Sequence, residues 1–391
     1  MEDKIRNIKK EFPVFSNNPK LIYLDSAATS QKPQTVIDAL SNYLSTNVSN
    51  VHRGMYDIAL RTDQMWLEAH KYIAKYLNAS SYEEVFFVKN ATEGLNWTVN
   101  TIGRKFLKEQ DVLVLSPLEH HSNLLPWLKL QKELKFDIRY LKLNEDLTID
   151  VKSLKDLYTD LGERIKIVSI VHQSNLTGNI TDIEKISLLT KKFGSILVVD
   201  GAQSIAHMQI DVAKLGCDVF TFSGHKVYGP SGSGVVYCKR EILKDLEPWV
   251  LGGEMVKRVN IQKDEIIFND LPWKFEAGTP AIEANIALVE ALKWFNNKIE
   301  ELGGWSEYRK YMKDLTNYTK EHLNAISQLT VVNDNREGEG IVTFACKIHP
   351  HDVATLLNDF GIAVRVGFHC VEPLHRKLYL NNGTVRVSLG I

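Results

Sequence analysis

The sequence predicts an α/β protein: a large domain on a mostly parallel sheet, joined to a smaller α+β domain. Two observations predict it. Short apolar runs alternate with longer amphipathic stretches over most of the chain, and alternating strands and helices make a parallel sheet covered on both faces. After Gly278-Thr279-Pro280 that alternation gives way to two long helical patterns and short tail strands. The expected division is a large domain over 20–278 and a small one combining 1–19 with 279–391.

The elements follow in order. The longest helical pattern of the first half runs from Arg61 to Leu77, with Met65, Ala69, Tyr72, Ile73, Tyr76 and Leu77 on one face and Asn78 as its stop. The runs Glu84–Val88, Val112–Leu115, Lys166–Val171, Ile196–Val199 and Val219–Phe222 read as strands, and Val235–Cys238 as a further one. Before that last strand lies Gly229-Pro230-Ser231-Gly232-Ser233-Gly234. It lacks the Gly-Lys-Ser/Thr ending of a P-loop, so its glycines serve backbone geometry. Helices are expected over Ile282–Lys298 and Tyr308–Ser327, with strands around Ile341–Phe344 and Ala363–Arg365.

Composition narrows the function. Of 391 residues, 44% are hydrophobic and 24% charged, ordinary for a soluble globular protein. A net charge of −1 gives no electrostatic case for nucleic acid or an anionic membrane. The opening Met1-Glu2-Asp3-Lys4-Ile5-Arg6 leads into no apolar signal region, and no apolar run is long enough to span a bilayer. Cys217, Cys238, Cys346 and Cys370 show no CxxC spacing. A reduced, cytoplasmic protein is expected, with no cysteine-based metal site.

The chemistry gathers at strand ends. Lys226 follows the strand Val219–Phe222, and Asp200 ends the strand Ile196–Val199. Open α/β sheets bind ligands at such ends. Pyridoxal phosphate (PLP) needs that pair, a lysine for the Schiff base and a carboxylate for the ring nitrogen. Alone, either residue is an ordinary turn lysine or strand-end aspartate. Thr92, after Val85–Val88, reads as a helix N-cap at a phosphate-binding helix start. His120, after Val112–Leu115, suits stacking on a cofactor ring, with His121 in support. Adjacent histidines on an extended segment point apart, which argues against a metal. Asn175 and Gln203 are placed for the phenolic oxygen or substrate, and Ser223 and His225 for phosphate. Cys370, in Arg365-Val366-Gly367-Phe368-His369-Cys370, is either a nucleophile in an exposed loop or a small buried thiol. Arg386 suits a substrate carboxylate or a surface ion pair.

Together these segments resemble the cysteine desulfurases of the class V aminotransferase family, in the group holding Suf-type desulfurases and selenocysteine lyases. The resemblance runs from Tyr23-Leu24-Asp25-Ser26-Ala27-Ala28 to Arg386. Its most specific pieces are Val51-His52-Arg53-Gly54, Ala91-Thr92-Glu93-Gly94, Glu119-His120-His121-Ser122-Asn123, Val199-Asp200-Gly201-Ala202-Gln203, Ser223-Gly224-His225-Lys226, Trp273-Lys274-Phe275-Glu276-Ala277-Gly278-Thr279-Pro280 and the Cys370 segment. It implies the PLP-dependent transferase fold of type I and a homodimer. It implies PLP on Lys226, with His120 over the ring, Asp200 on the ring nitrogen and Gln203 on the phenolic oxygen. Thr92, Ser223 and His225 would hold phosphate, with Thr279 reaching in from the partner, and Glu93 would join the cofactor set. Arg386, Asn175, Arg365 and His52 would form the substrate set.

The implied catalytic residues are Lys226, His120 and Cys370, with Cys370 taking sulfur from L-cysteine, releasing L-alanine and passing a persulfide to a Suf-type acceptor for iron–sulfur cluster assembly. Selenocysteine lyase activity on the same site and a non-catalytic PLP-binding sulfur-relay scaffold are the competing readings. The sequence departs from the group's pattern at Lys274, at Phe368 where histidine is usual, and in ending at Ile391 soon after the Arg386 strand.

Overall fold

The computed structural model describes residues 2–332 and 338–391. Its main feature is a seven-stranded sheet of β1 (Val85–Val88), β2 (Val112–Leu115), β3 (Asp137–Tyr140), β4 (Ile165–Val171), β5 (Ile196–Asp200), β6 (Val219–Ser223) and β7 (Gly234–Cys238). The spatial order is β1-β7-β6-β5-β4-β2-β3. Neighbours are parallel except where β7 meets β1 and β6. β7 is reversed because the glycine-rich turn brings the chain straight back, with no crossover helix between β6 and β7. Gly234 is required at its start, since a Cβ there would lie 2.7 Å from the Asn90 Cα.

The apolar runs are continuous because both sheet faces are buried. Successive strand residues enter two separate cores. Val85, Phe87, Val112, Val114, Leu197 and Val199 join one cluster. Phe86, Leu113, Leu115, Val198 and Val236 join the other. The edge strand β3 escapes sequence reading, because Asp137 and Arg139 interrupt its apolar pattern.

Helix α1 (Asp57–Tyr76) starts four residues before the expected Arg61. Its buried stripe is Ala59, Thr62, Trp66, Ala69 and Ile73, so the expected Met65, Tyr72 and Tyr76 flank the stripe rather than form it. Helix α2 (Ala91–Thr98) opens on the sheet's C-terminal edge. A hairpin, β8 (Val256–Asn260) with β9 (Glu265–Phe268), projects with Ile261 91% exposed. Helices α3 (Ile282–Glu301) and α4 (Trp305–Asn324) follow.

A four-stranded antiparallel sheet comprises β10 (Leu329–Val331), β11 (Ile341–Cys346), β12 (Arg365–Gly367) and β13 (Thr384–Ser388), ordered β10-β11-β13-β12. The expected strand Ala363–Arg365 is split. Ile362–Ala363 pairs in parallel with Ile22–Tyr23, whereas Arg365 joins β13. Among the described residues no helix is long and apolar enough to cross a membrane.

Candidate active site

The C-terminal ends of β1, β2, β4, β5 and β6 open on one side because these strands run the same way. Segments following them line a cavity of about 300 Å³ together with the 365–370 turn and Arg386 of β13. Lys226, Asp200, His120, Asn175, Cys370 and Arg386 all face it, as do Thr92, Gln203, Ser223, His225 and Arg365.

Lys226 is partly buried, and burial lowers its amine to about 8, against the pull of Asp200 that favours the charged form. Asp200 is buried and its carboxyl is pushed up by desolvation, an effect opposed by the Ala202 N–H at 2.9 Å and by Lys226. His120 drops to about 3, chiefly through burial and then the nearby Lys226 charge. Its Nδ1 accepts the Ser122 backbone N–H at 3.1 Å. The neutral ring therefore carries its hydrogen on Nε2. Beneath it, Glu119 accepts from the Ser116 hydroxyl at 2.5 Å, the Asn123 amide at 2.6 Å and the Val171 N–H at 3.1 Å. Desolvation raises this carboxyl to about 8. Glu119 thus ties the ends of β2 and β4 together under the His120 loop.

The start of α2 is arranged differently from the expectation. Asn90, not Thr92, is the N-cap, because its Oδ1 accepts the Glu93 N–H at 2.9 Å. Thr92 lies inside the first turn, its hydroxyl 2.7 Å from Ser122 Oγ. Ser223 Oγ accepts the Ala91 N–H at 2.8 Å, which leaves the hydroxyl hydrogen to donate into the cavity. Among the described residues, the Thr92 N–H is left unpaired at this helix start. A free N–H at a helix start beside a hydroxyl is the kind of arrangement that can bind a phosphate.

Three expected site residues lie elsewhere in the chain. Glu93 is one position round the helix from Thr92, so it points away and accepts the Lys89 N–H at 2.5 Å. It lines a second cavity of about 400 Å³, with Thr279. His52 has a left-handed backbone (φ 78°) and packs edge-on against Trp273, ring centroids 4.9 Å apart.

Arg386 is 2% exposed, so a surface ion pair is ruled out. It donates to the Asn175 carbonyl at 3.0 Å and to Asp25 Oδ1 at 3.4 Å, leaving Nε unpartnered. Burial lowers it to about 10. Arg365, its cross-strand partner, reaches the same Asp25 at 3.1 Å. Sequence reading missed Asp25. Its neighbour across two arginines is visible only once β12 and β13 are paired.

Cys370 is exposed. The turn carrying it is pinned rather than loose. The His121 N–H donates to the Cys370 carbonyl at 2.8 Å, and the Asn175 amide to the His369 carbonyl at 2.7 Å. His369 (φ 47°) and Cys370 (φ 58°) are both left-handed, which costs about 1–2 kcal/mol per residue and needs such anchoring. Phe368 packs edge-on against His375 at 5.4 Å, under the Arg376 guanidinium at 5.3 Å.

PLP presents a phosphate, a ring nitrogen and a reactive carbonyl. The residues present fit all three: a helix start with Ser223, a buried carboxylate at Asp200, and an amine of lowered basicity at Lys226.

The aminotransferase class-V family model matches residues 22–391, and the chain belongs to that family. It is 42% identical to a probable cysteine desulfurase of Halalkalibacterium halodurans, over 97% of this chain and 92% of the relative. It is 39% identical to a cysteine desulfurase of Wigglesworthia glossinidia brevipalpis, over 96% and 90%. Among solved structures, the apo cysteine desulfurase of Thermococcus onnurineus NA1 superposes with a TM-score of 0.90 at 33% identity, covering 98% and 92% of the two chains. The cysteine desulfurase CsdA of Escherichia coli, in an S-sulfonic acid form, gives 0.86 at 32% identity, covering 99% and 93%.

Proposed function

We propose that this protein is a PLP-dependent cysteine desulfurase that converts L-cysteine to L-alanine and carries the sulfur as a persulfide on Cys370. The observation that carries this reading is the convergence of Lys226, Asp200, Arg386 and Cys370 on one cavity of about 300 Å³. Bound there, PLP supplies a carbonyl for the substrate's amino group and a ring that accepts electrons from its α-carbon. Lys226 holds the cofactor at rest, and its Nζ then moves the α-proton. An amine at about 8 is partly neutral near physiological pH and can do both. Asp200 would hold the ring nitrogen, and the His120 ring would pack against the cofactor ring. The Ser223 hydroxyl, His225 and the Thr92 N–H would hold the phosphate. Arg386 binds the substrate carboxylate, with Asn175 and Arg365 beside it. Cys370 Sγ, as the thiolate, forms the S–S bond while the substrate's C–S bond breaks.

The exposure of Cys370 supports handing sulfur to a protein acceptor of the Suf type. The four cysteines are all unpaired, in keeping with a reducing, cytoplasmic setting. We also propose a homodimer with a shared site. Thr279 does not line the cavity that holds Lys226 and sits with Glu93 in the neighbouring one. Lining that cavity with it, Trp249 is 43% exposed and Val250 51% exposed, apolar surface that suits a second copy.

The test is Cys370→Ala. It should keep bound PLP and its colour, carry no persulfide and release no alanine from L-cysteine. Alanine formed at the parent rate would exclude Cys370 as the sulfur acceptor.

A further inference from the structure

His369, in the turn after β12, and His375, in the short helix Glu372–Lys377 that follows, share one hydroxyl. His375 Nδ1 lies 3.0 Å from the Val371 carbonyl. A carbonyl only accepts, so Nδ1 carries a hydrogen. Burial lowers the basicity of His375, and the ring is neutral near pH 7. Its Nε2 therefore bears a lone pair, and it sits 3.0 Å from Thr384 Oγ1. The threonine's single hydrogen goes there. The same Oγ1 is 3.1 Å from His369 Nε2, which must then be the donor. His369 is driven down to about 2, mainly by burial, and is also neutral. Its Nδ1 is left with a lone pair. That atom is buried without a partner, and His369 lines the cavity.

The chain of bonds is rigid. Thr384 and His375 are fully buried and His369 is 8% exposed. Thr384 lies two residues from Arg386 on β13, hence on the same strand face. The acceptor is thus fixed relative to the arginine that would hold the substrate's carboxylate, and it precedes Cys370 directly.

We infer that His369 Nδ1 is a substrate-binding acceptor that takes a hydrogen bond from the substrate's thiol and so holds its sulfur beside Cys370. The inference rests on the proposed reaction. There the substrate's amino group is engaged by the cofactor and its carboxylate can only accept. The thiol is the remaining donor. Alanine, the product, offers no hydrogen at that place and leaves the buried lone pair unpaired. The site therefore favours cysteine over alanine, and the relay promotes product release.

The test uses Cys370→Ala holo-protein, which should bind substrate without turning it over. In 15N-histidine-labelled protein, His369 should show a bare Nδ1 and a protonated Nε2. Thr384→Val removes the hydroxyl at nearly constant shape and should mix the tautomers. Titrating the bound cofactor's absorbance with L-cysteine and with L-alanine reads the second arm. The preference for cysteine should fall in Thr384→Val by several-fold, up to about tenfold given that S–H is a weak donor. Thr384→Ser keeps the hydroxyl and should restore it. A protonated Nδ1 in the parent, or an unchanged preference in folded Thr384→Val, would overturn the inference. Should wild-type protein make no alanine from cysteine, the functional reading falls separately, since neither arm depends on turnover.

Discussion

Lys226 sits where an amine is hard to keep charged. Burial holds it near 8 against an ordinary 10.5, even with Asp200 nearby. In cofactor-free protein this has a definite sign. The unfolded chain binds more protons than the folded one between those two values, so stability rises with pH through that window. Below about 8 the penalty is complete, and above 10.5 it is gone. Lys226→Met should therefore stabilise the cofactor-free protein at pH 7 by up to about 3 kcal/mol. The gain should fade between pH 8 and 10.5, as read by urea denaturation across that range. A gain that stayed constant with pH would point to packing instead. Residue identity at strand ends was enough to single out Lys226 and Asp200. Burial was not legible: Arg365 and Arg386 look alike in sequence, yet their side chains are 50% and 3% exposed on the same aspartate.

Elements reach the site through buried polar ties as well as apolar cores. His70 of α1 meets the Glu276 carboxylate at 2.8 Å, and its other nitrogen meets the Trp66 carbonyl at 2.9 Å. The same Glu276 oxygen accepts the Phe87 N–H of β1 at 2.7 Å. One pair thus joins a helix, a strand and the segment leading to Thr279. Truncating either partner strands the other in the interior. His70→Ala or Glu276→Ala should each lose about 3–5 kcal/mol of stability in chemical denaturation. The Lys71–Glu68 pair on the same helix is similarly short at 2.9 Å but about half exposed, and Lys71→Ala should change little. A His70→Ala protein as stable as its parent would reduce the pair to a bystander. Strands buried on both faces were legible because most of their positions are apolar. β3 and the β8–β9 hairpin were not, since an edge or projecting strand keeps polar residues. The Asn90 cap was missed for a related reason. Thr92 has the right chemistry, and only the helix start decides which of two polar residues caps it.

At the scale of the whole molecule, the resemblance named residues that one chain does not bring together. His52, Glu93 and Thr279 all lie outside the cavity that holds Lys226. Spacing along one sequence cannot say that a residue acts across a two-fold axis, whereas exposed apolar surface around Thr279 can suggest it. In a symmetric dimer each site would take Lys226 from one subunit and Thr279 from the other. This gives a complementation test. Thr279→Asp sets a carboxylate against the phosphate and should abolish activity by like-charge repulsion and lost cofactor. Lys226→Ala should abolish it by removing the amine. Each variant alone is inactive. A dimer of one with the other concentrates both defects in one site and leaves the second site intact. Random reassortment makes half the dimers mixed, so activity should return to roughly a quarter of wild type. Sedimentation should show one dimer species throughout. If mixing restores nothing while mixed dimers form, Thr279 serves its own subunit and the shared-site arrangement is excluded.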